Sequence, residues 1–287
     1  MASIPSIEYE LLEKGDKDTV SFLKNYLNDV GFFAIKNHPL PKSTIKDAFD
    51  YSRQLFDLTI DQKIKYKIPN CKGAVGYTPY GIETALTEKI ADQKEFWHHG
   101  SHSNPYSLSN VYPNELDDSH RIDDLFLQFE SIAIKVLDCF KSFNIEYAAD
   151  ISEIAKDGNS VLRLIHYPKI KSHNKHRARA HTDVNLITLL VGGNDSGLEA
   201  QNRKGEWVDC GCKENEIICN VGDMLEIISN GALKSTVHRV VSNKNPNRSR
   251  YSIPFFLHPR PEVILNKNTK ITANEFLTKR LQDIKLN

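Results

Sequence analysis

Three residues in the second half of the chain have the side chains and the spacing of a metal site. His181 is followed two residues later by Asp183, and none of the other ten histidines has an aspartate at that spacing. On a β-strand, residues i and i+2 face the same side, so one extended segment would bring both to a single ion. His238, in another β-rich segment, supplies a third ligand. Two imidazoles and one carboxylate on one face of a metal leave the opposite face open, which suits Fe(II) oxygen chemistry.

Other interpretations of this pattern stay open at this point. A His-x-Asp pair can be a hydrogen-bonded surface pair. Two histidines and one aspartate also serve zinc hydrolases, which hold a water molecule as the fourth ligand. His98 and His99 are adjacent, so on a strand they would face opposite sides, and we interpret both as ordinary residues.

Downstream of His238, a second pair of residues could bind an anion. Arg250 and Ser252 open a predicted strand and share one of its faces. A guanidinium matches a carboxylate with two parallel hydrogen bonds, and a buried cation is costly unless an anion meets it. Pro254 and Phe256 continue the same face, which indicates that it looks into the protein. If so, the pair would bind the far carboxylate of a 2-oxoglutarate whose other end chelates iron; a surface arginine is the plainer alternative.

The same alternation suggests substrate-binding residues. Arg163 shares a strand face with Tyr167, so an inward Tyr167 implies an inward Arg163. Arg163 could then bind a substrate carboxylate or 2-oxoglutarate, or form a structural salt bridge. Together with Arg179 it favours a small acidic or amino-acid-like substrate. The remaining candidates are Asn185 and Phe256, at inward strand positions, and Tyr77, Thr78 and Tyr80, in a predicted lid.

A sheet-rich second half must position these residues. Short β-rich segments separated by turn residues cover 161–167, 184–191, 207–210, 216–220, 224–229, 236–242 and 250–257. Many short strands of this kind predict a closed double sheet. The expected fold class is mainly β with flanking α, with a double-stranded β-helix core of the jelly-roll, cupin-like type and a mixed helical N-terminal region.

Helical patterns surround this core. Apolar residues at helical spacing predict helices over 18–30, 43–58 (with Ser43 as its cap), 119–142 and 272–284, and residues 32–35 a buried strand. Residues 73–102 have the composition of a loop. The expected division is an N-terminal mixed α/β region (1–115), a connecting long helix (116–158), the catalytic core (159–260) and a C-terminal helix (261–287).

The composition of the chain indicates which classes of partner it binds. Lys plus Arg and Asp plus Glu both total 37, so no net charge attracts nucleic acid or an anionic membrane. The basic stretch at 169–179 is expected to be a mobile loop near a substrate entrance. No signal peptide or apolar run of membrane-spanning length is visible, and the five cysteines are irregularly spaced. These features predict a cytoplasmic protein with reduced thiols that binds neither nucleic acid nor membrane; the oligomeric state cannot be predicted.

Several of these motifs together resemble the isopenicillin N synthase-like branch of the 2-oxoglutarate/Fe(II)-dependent dioxygenases. They include Ala-His-Thr-Asp at 180–183, Asn-Val-Gly-Asp at 220–223, Ser-Thr-Val-His-Arg-Val at 235–240 and Arg-Tyr-Ser at 250–252. The other matching stretches are 167–168, 186–190, 197–200, 205–208 and, in the N-terminal half, 29–38, 76–77 and 92–96. One departure is Ile165, where many plant members of the branch have asparagine.

The resemblance implies a site and an activity. His181, Asp183 and His238 would bind Fe(II), while Arg250, Ser252 and Tyr167 would contact the C5 carboxylate of 2-oxoglutarate. With O₂, such an enzyme oxidises a C–H bond of a small molecule by hydroxylation, desaturation or ring closure, and releases succinate and CO₂. The alternatives are a family oxidase that needs no 2-oxoglutarate and a catalytically silent binding protein on the same fold.

Overall fold

The computed structural model describes residues 4–69, 71, 74–84, 91–102, 108–117, 120–143, 145–147, 149–169, 176–191, 197–211, 213, 215–241 and 248–283. The N-terminal half contains β1 (Ser6–Glu8), α1 (Tyr9–Glu13), α2 (Lys17–Asp29), β2 (Phe32–Lys36), α3 (Lys42–Asp57), α4 (Ile60–Ile64), β3 (Gly76–Thr78), β4 (Glu95–Gly100) and α5 (Arg121–Phe140). Two 3₁₀ turns, Lys141–Phe143 and Glu153–Ala155, lead into the second half.

The second half supplies most of the strands. It contains β5 (Val161–Tyr167), β6 (His176–His181), β7 (Ile187–Val191), β8 (Leu198–Gln201), β9 (Trp207–Asp209), β10 (Ile217–Val221), α6 (Asp223–Ile228), β11 (His238–Val241), β12 (Arg250–Leu257) and α7 (Ala273–Asp283). Within the described part of the chain, no helix is both long enough and apolar enough to cross a bilayer.

The strands form two sheets. The larger has eight strands in the order β1-β2-β10-β7-β12-β5-β4-β3, and the smaller has four in the order β6-β11-β8-β9. Only the β1–β2 pair is parallel among these neighbours. Apart from the β8–β9 hairpin, consecutive strands of the second half alternate between the sheets, which is the jelly-roll arrangement and confirms the predicted fold class.

Residues alternate along the strands of the large sheet, so one face packs against the helices and the other faces the small sheet. In β12, Ile253, Phe255 and Leu257 belong to the main hydrophobic core. Phe255 lies 5.1 Å from Phe126 and 5.7 Å from Phe129 of α5, measured between ring centroids. Burying aromatic side chains of this size contributes about 2 kcal/mol each, which fixes the helical layer on this face. The intervening residues of β12 face the small sheet and are free to line a cavity.

Some of the predicted elements were wrong. Residues 224–229 were predicted to be a strand, but α6 occupies this stretch, because a short apolar run fits a buried helix as well as a strand. The segment 73–102 was predicted to be a loop, but it contains β3 and β4. Ser43 does not cap α3, whose N-cap is Pro41. Residues 170–175 of the basic stretch 169–179 lie outside the described residues; its last four residues, from His176, belong to β6 rather than to a loop.

Candidate active site

A cavity of about 620 Å³ lies between the two sheets. It is lined by residues at alternate positions of the large sheet's central strands and by the ends of β6 and β11. Of the sequence-predicted site residues, nine line it: Tyr167, His181, Asp183, His238, Arg250, Ser252, Arg163, Asn185 and Phe256. The jelly roll therefore brings together residues that are up to 93 positions apart in the printed chain.

His181, Asp183 and His238 converge at one side of this cavity. One ligand atom from each lies within 4.8 Å of the others. The two imidazole centroids are 4.3 Å apart, and Nε2 of His238 is 3.7 Å from Oδ1 of Asp183. His181 is the last residue of β6, whereas Asp183 follows the strand, so the predicted arrangement on a single strand was wrong. Asp183 lies two residues beyond the end of β6, and its carboxylate still reaches the histidines.

Backbone carbonyl groups orient both imidazoles toward the cavity. Nδ1 of His181 lies 2.7 Å from the carbonyl oxygen of Arg179, and Nδ1 of His238 lies 3.0 Å from that of Thr236. A carbonyl oxygen can only accept, so each Nδ1 carries the proton and each Nε2 offers a lone pair. Burial, and then the neighbouring His238, lowers the pKa of His181 to about 4, which keeps this ring neutral at physiological pH. Neutral imidazoles are the form that binds metal.

Hydrogen bonds prepare the Asp183 carboxylate in the same way. Oδ2 accepts from Thr188 Oγ1 at 2.6 Å and from Asn220 Nδ2 at 2.8 Å, while Oδ1 faces the histidines. Burial raises the pKa of Asp183, but the two histidines and these two hydrogen bonds lower it further, so the carboxyl group is ionised. Sequence analysis did not assign these roles to Thr188 and Asn220. Their inward position among apolar strand residues was the signal, because a buried amide or hydroxyl needs a partner.

The residues that follow β10 fix the backbone around Asp183. The backbone N–H of Asp223 donates to the carbonyl oxygen of Asp183 at 2.7 Å. Gly222 allows this approach, because a Cβ at that position would lie 2.2 Å from the carbonyl oxygen of Asn185. The amide of Asn185 donates to Ile187 O at 2.7 Å and to Thr188 Oγ1 at 3.1 Å. Although Asn185 borders the cavity as predicted, its amide hydrogens are therefore engaged within the protein.

Arg250 forms a second, cationic side of the cavity. It is 6% exposed, and its Nε and Nη1 have no hydrogen-bond partner within the described residues. It pairs across the strands with Tyr167, and its Cζ lies 5.4 Å from the centroid of that ring. Ser252 lies two residues further along the same face and is also buried. A buried guanidinium is unfavourable unless an anion meets it, so this wall is suited to bind a carboxylate.

Arg163 also reaches the cavity but is already neutralised. Its Nη1 lies 3.3 Å from both carboxylate oxygens of Glu83, and its guanidinium packs between the rings of Phe96 and Phe256, with its Cζ 4.3 and 5.1 Å from their centroids. Its Nε donates to His98. Of the roles considered from the sequence, the structural salt bridge is thus present.

Lys94 extends this charged network. Its Nζ lies 2.6 Å from Glu83 and 3.1 Å from Asp92, and all three side chains are buried. Burial raises the pKa of Glu83, but Arg163 and Lys94 lower it well below its ordinary value. Burial lowers the pKa of Lys94, but Glu83 and Asp92 raise it above its ordinary value. The cavity wall therefore carries ionised groups of both signs, none of which was predicted apart from Arg163.

Four of the proposed substrate residues do not line the cavity described here. Tyr77 belongs to the helix-facing core, and its hydroxyl donates to Glu95 at 2.5 Å. Thr78 is buried beside it at the sheet edge, and Tyr80 is half exposed. Arg179 stands near the end of β6, where its backbone N–H lies 3.3 Å from Asp92. The predicted lid of Tyr77, Thr78 and Tyr80 was wrong because β3 joins the edge of the large sheet instead of looping over the cavity.

His258 is a further cavity residue that sequence analysis missed. It follows β12, is 7% exposed, and has Nδ1 3.2 Å from the carbonyl oxygen of Phe256. Nδ1 therefore carries the proton, which leaves Nε2 as an acceptor. Burial lowers the pKa of His258 to about 4, so the ring is neutral.

Helix α7 closes the cavity beside the histidines. Leu277, Arg280 and Leu281 of this helix border it. Arg280 donates to Asp223 and, at 3.1 Å, to Thr182 Oγ1. Because Thr182 stands between His181 and Asp183, the C-terminal helix is tied directly to the segment that carries two of the candidate ligands.

Two family models match the chain. Residues 158–259 match the 2OG-Fe(II) oxygenase superfamily, and residues 4–118 match the family described as the non-haem dioxygenase in morphine synthesis N-terminal region. The first match spans the strands that carry the cavity residues of the second half.

Solved structures and curated relatives agree with these matches. A 2OG-Fe(II) oxygenase family protein from Caulobacter crescentus is 34% identical, with a TM-score of 0.86 over 98% of this chain and 99% of that one. A Neurospora crassa protein, solved at full length in complex with alpha-KG and 5-formyluracil, is 27% identical, with a TM-score of 0.82 over 97% and 95%. Homoarginine-6-hydroxylase 2-ODD-C23 from Glycine max is 28% identical over 89% of this chain and 85% of that protein.

Proposed function

Because the chain belongs to the 2-oxoglutarate–Fe(II) oxygenase superfamily, we propose that His181, Asp183 and His238 bind its Fe(II) and that Arg250 and Ser252 bind the far carboxylate of 2-oxoglutarate. The protein is a 2-oxoglutarate- and O₂-dependent dioxygenase with a small-molecule substrate. When bound, iron and 2-oxoglutarate supply the O₂ activation that oxidises a C–H bond, with succinate and CO₂ as co-products.

The observation that carries the co-substrate assignment is the buried guanidinium of Arg250. Two of its nitrogens lack a partner within the described residues although they are buried in the cavity wall. A dicarboxylate chelated to iron at its other end would supply the missing anion, with Tyr167 packed against the guanidinium. An oxidase that needs no 2-oxoglutarate, or a zinc hydrolase, gives no reason to keep this cation bare.

The residues around the three proposed ligands hold them in a fixed geometry. The carbonyl groups of Arg179 and Thr236 set the imidazole orientations, and Thr188 and Asn220 occupy one oxygen of Asp183. Asp183 is thereby left with Oδ1 as its metal-binding atom. Such outer partners raise metal affinity by orienting the ligands before the metal arrives. A catalytically silent protein would not need them.

For the substrate, we propose an amino-acid-like molecule that carries both charges. Arg163 and Arg179 first suggested an acidic or amino-acid-like substrate, but Arg163 is paired with Glu83 and Arg179 does not line the cavity. A wall with both a carboxylate and a guanidinium can bind the ammonium and carboxylate groups of a zwitterion, whereas a purely acidic molecule would meet the Glu83 charge. The homoarginine-6-hydroxylase among the relatives supports this choice.

Succinate formation tests the activity and its site together. The anaerobically Fe(II)-loaded protein should convert 2-oxoglutarate to succinate in the presence of O₂, slowly without substrate. Asp183→Ala should lose this activity by at least about 100-fold, because the metal loses one of three ligands. Asp209→Ala, an exposed carboxylate on β9, is the matched control and should keep it. Iron-dependent succinate at an unchanged rate in Asp183→Ala would refute the ligand assignment.

Stimulation of the same assay tests the substrate class. We expect α-amino acids to accelerate succinate formation more than dicarboxylates or neutral amides of similar size. Glu83→Gln should reduce the stimulation by amino acids, because the proposed ammonium contact is lost. Stimulation by dicarboxylates alone would contradict a zwitterionic substrate while leaving the iron and 2-oxoglutarate assignments intact.

A further inference from the structure

A second cluster of histidine and aspartate lies outside the cavity, on the helix-facing side of the large sheet. His99 is in β4, His102 follows that strand, and Asp123 is in the first turn of α5. Because adjacent strand residues face opposite ways, His99 points toward α5 while its neighbour His98 lines the cavity. His99 was predicted to be an ordinary residue, because the alternation of a strand does not show a partner that comes from a helix.

The three ligand atoms form a compact triangle. Nε2 of His99 lies 3.2 Å from Nε2 of His102 and 2.8 Å from Oδ1 of Asp123, and the third side, from His102 Nε2 to the same oxygen, is 3.0 Å. Ligands around a tetrahedral zinc with bonds of roughly 2.0–2.1 Å are about 3.3 Å apart. The triangle needs only a slight expansion to admit such an ion. His99 is fully buried, whereas the His102 side chain is 45% exposed, so an ion has access from the surface.

No assignment of protons to the two imidazoles satisfies both the Asp123 carboxylate and the Asn110 amide by hydrogen bonds. The amide of Asn110 is fixed by Gly100, and its Nδ2 lies 3.2 Å from both Nε2 atoms. If both imidazoles donate to Asp123, their two N–H groups crowd against the second N–H of Asn110. If one imidazole accepts from Asn110 instead, its lone pair faces a carboxylate oxygen at 2.8 or 3.0 Å. A cation in the triangle uses both lone pairs and the carboxylate charge together.

We propose that His99, His102 and Asp123 form a second metal site, which takes Zn²⁺ and leaves the fourth position to water. Two imidazoles and one carboxylate in a tetrahedral arrangement suit zinc better than magnesium or calcium, which prefer oxygen ligands. The ion would clip β4 to α5, directly behind the cavity wall that His98 joins to Arg163.

Zinc counting on the full-length chain tests this site without any turnover. Chelator-stripped protein is dialysed against micromolar Zn²⁺, and the bound metal is measured by mass spectrometry. Asp183→Ala removes a proposed iron ligand, so this variant should retain one equivalent of zinc. Adding His102→Ala should abolish it. His120→Ala is the matched control: His120 touches Asp123 Oδ2 but lies outside the triangle, so the zinc should remain.

A spectroscopic measurement separates this site from loosely bound metal. Co²⁺ in the Asp183→Ala protein should give the visible absorption of a four-coordinate ion, and this absorption should vanish when His102 is also replaced. The proposal is overturned if Asp183→Ala binds no zinc, or if the double variant binds as much zinc as Asp183→Ala. Neither result depends on whether the cavity converts 2-oxoglutarate, so the proposed function stands or falls separately.

Discussion

Two of the arginines that line the cavity, Arg250 and Arg163, are in opposite electrostatic states. Two guanidinium nitrogens of Arg250 have no hydrogen-bond partner within the described residues, whereas Arg163 is matched by Glu83 and packed between two aromatic rings. Both arginines face the cavity from neighbouring strands, β12 and β5, and each occupies an alternate position in its strand. The difference lies in what the rest of the chain places opposite them.

This difference fits two kinds of ligand: a co-substrate that is always the same anion, and a prime substrate that can vary. A bare buried cation must be met by an anion in every catalytic cycle, which fits a co-substrate that never changes. A neutralised cation tolerates an empty site and can exchange its partner for a ligand of either charge, which fits a prime substrate. The protein keeps its unfavourable, unpaired charge only where the same anion always returns.

The largest expected effect is on 2-oxoglutarate binding. Arg250→Leu should raise the half-saturating 2-oxoglutarate concentration about 1,000-fold, because one member of a buried, hydrogen-bonded charge pair is removed. Arg250→Lys keeps the charge but not the planar fork, and should raise it about tenfold. Titration of the visible absorption of the iron chelate measures both. Equal affinity in all three proteins would place the carboxylate elsewhere.

The next effect concerns stability at the other arginine. Glu83→Gln should lower the free energy of unfolding by about 3 kcal/mol, because Arg163 and Lys94 would lose the carboxylate between them in a buried site. Urea unfolding of the metal-free protein measures this. Glu206→Gln, at an exposed position, is the control and should change stability little. A loss below about 1 kcal/mol would mean that water compensates the network.

A pH effect of intermediate size should come from His258. Its pKa is about 4 in the folded protein and near 6.5 when unfolded. The unfolded chain thus binds the proton first as pH falls, so this contribution is complete above about pH 6.5 and is lost toward pH 4. Between about pH 7 and 5 the metal-free protein should lose about 2 kcal/mol through this residue. His258→Gln should unfold with a correspondingly shallower pH dependence; an unchanged slope would mean that the pKa of His258 is the same in the folded and the unfolded protein.

The smallest expected effect is a gain in stability, opposite in sign to the other effects, and it distinguishes Arg250 from Arg163. Without 2-oxoglutarate, Arg250→Leu should raise the free energy of unfolding by about 1 kcal/mol, because an unpaired buried cation is replaced by an apolar side chain. The same substitution at Arg163 should lower it, since Glu83 would be left with one partner fewer. Thermal melts of the two unliganded variants, side by side, give the signs directly. A destabilised Arg250→Leu protein would show that this guanidinium has a structural partner after all.

Local patterns predicted much of this molecule. Alternation correctly placed the inward faces of β5 and β12, and the spacing of apolar residues located α2 and α5 to within two residues at the helix ends. Asp183 shows the limit of such reasoning, because it reaches the histidines from beyond the end of β6 rather than from the strand. Parity assigned it to the right site for the wrong geometric reason.

Interactions between distant segments could not be predicted. Glu83 and Arg163 are 80 residues apart, and no local pattern marks a glutamate in a loop-like segment as the partner of a strand arginine. The same holds for Asp123, which joins His99 from a helix. Tyr77, Thr78 and Tyr80 were misplaced because the path of β3 is decided by pairing with β4, which the sequence of either strand alone does not specify.

The alternation of faces in β5 and β12 also shapes how this enzyme can change over time. In each strand, every second residue packs against the helical core, and the residues between them face the cavity. Single substitutions can therefore alter selectivity at one register while leaving the other untouched. A one-residue insertion within β5 would exchange the two sets at a stroke and place Leu164 where Arg163 or Ile165 now stands. Variation in these strands is thus confined to replacement of residues, and changes of length are left to the turns between them.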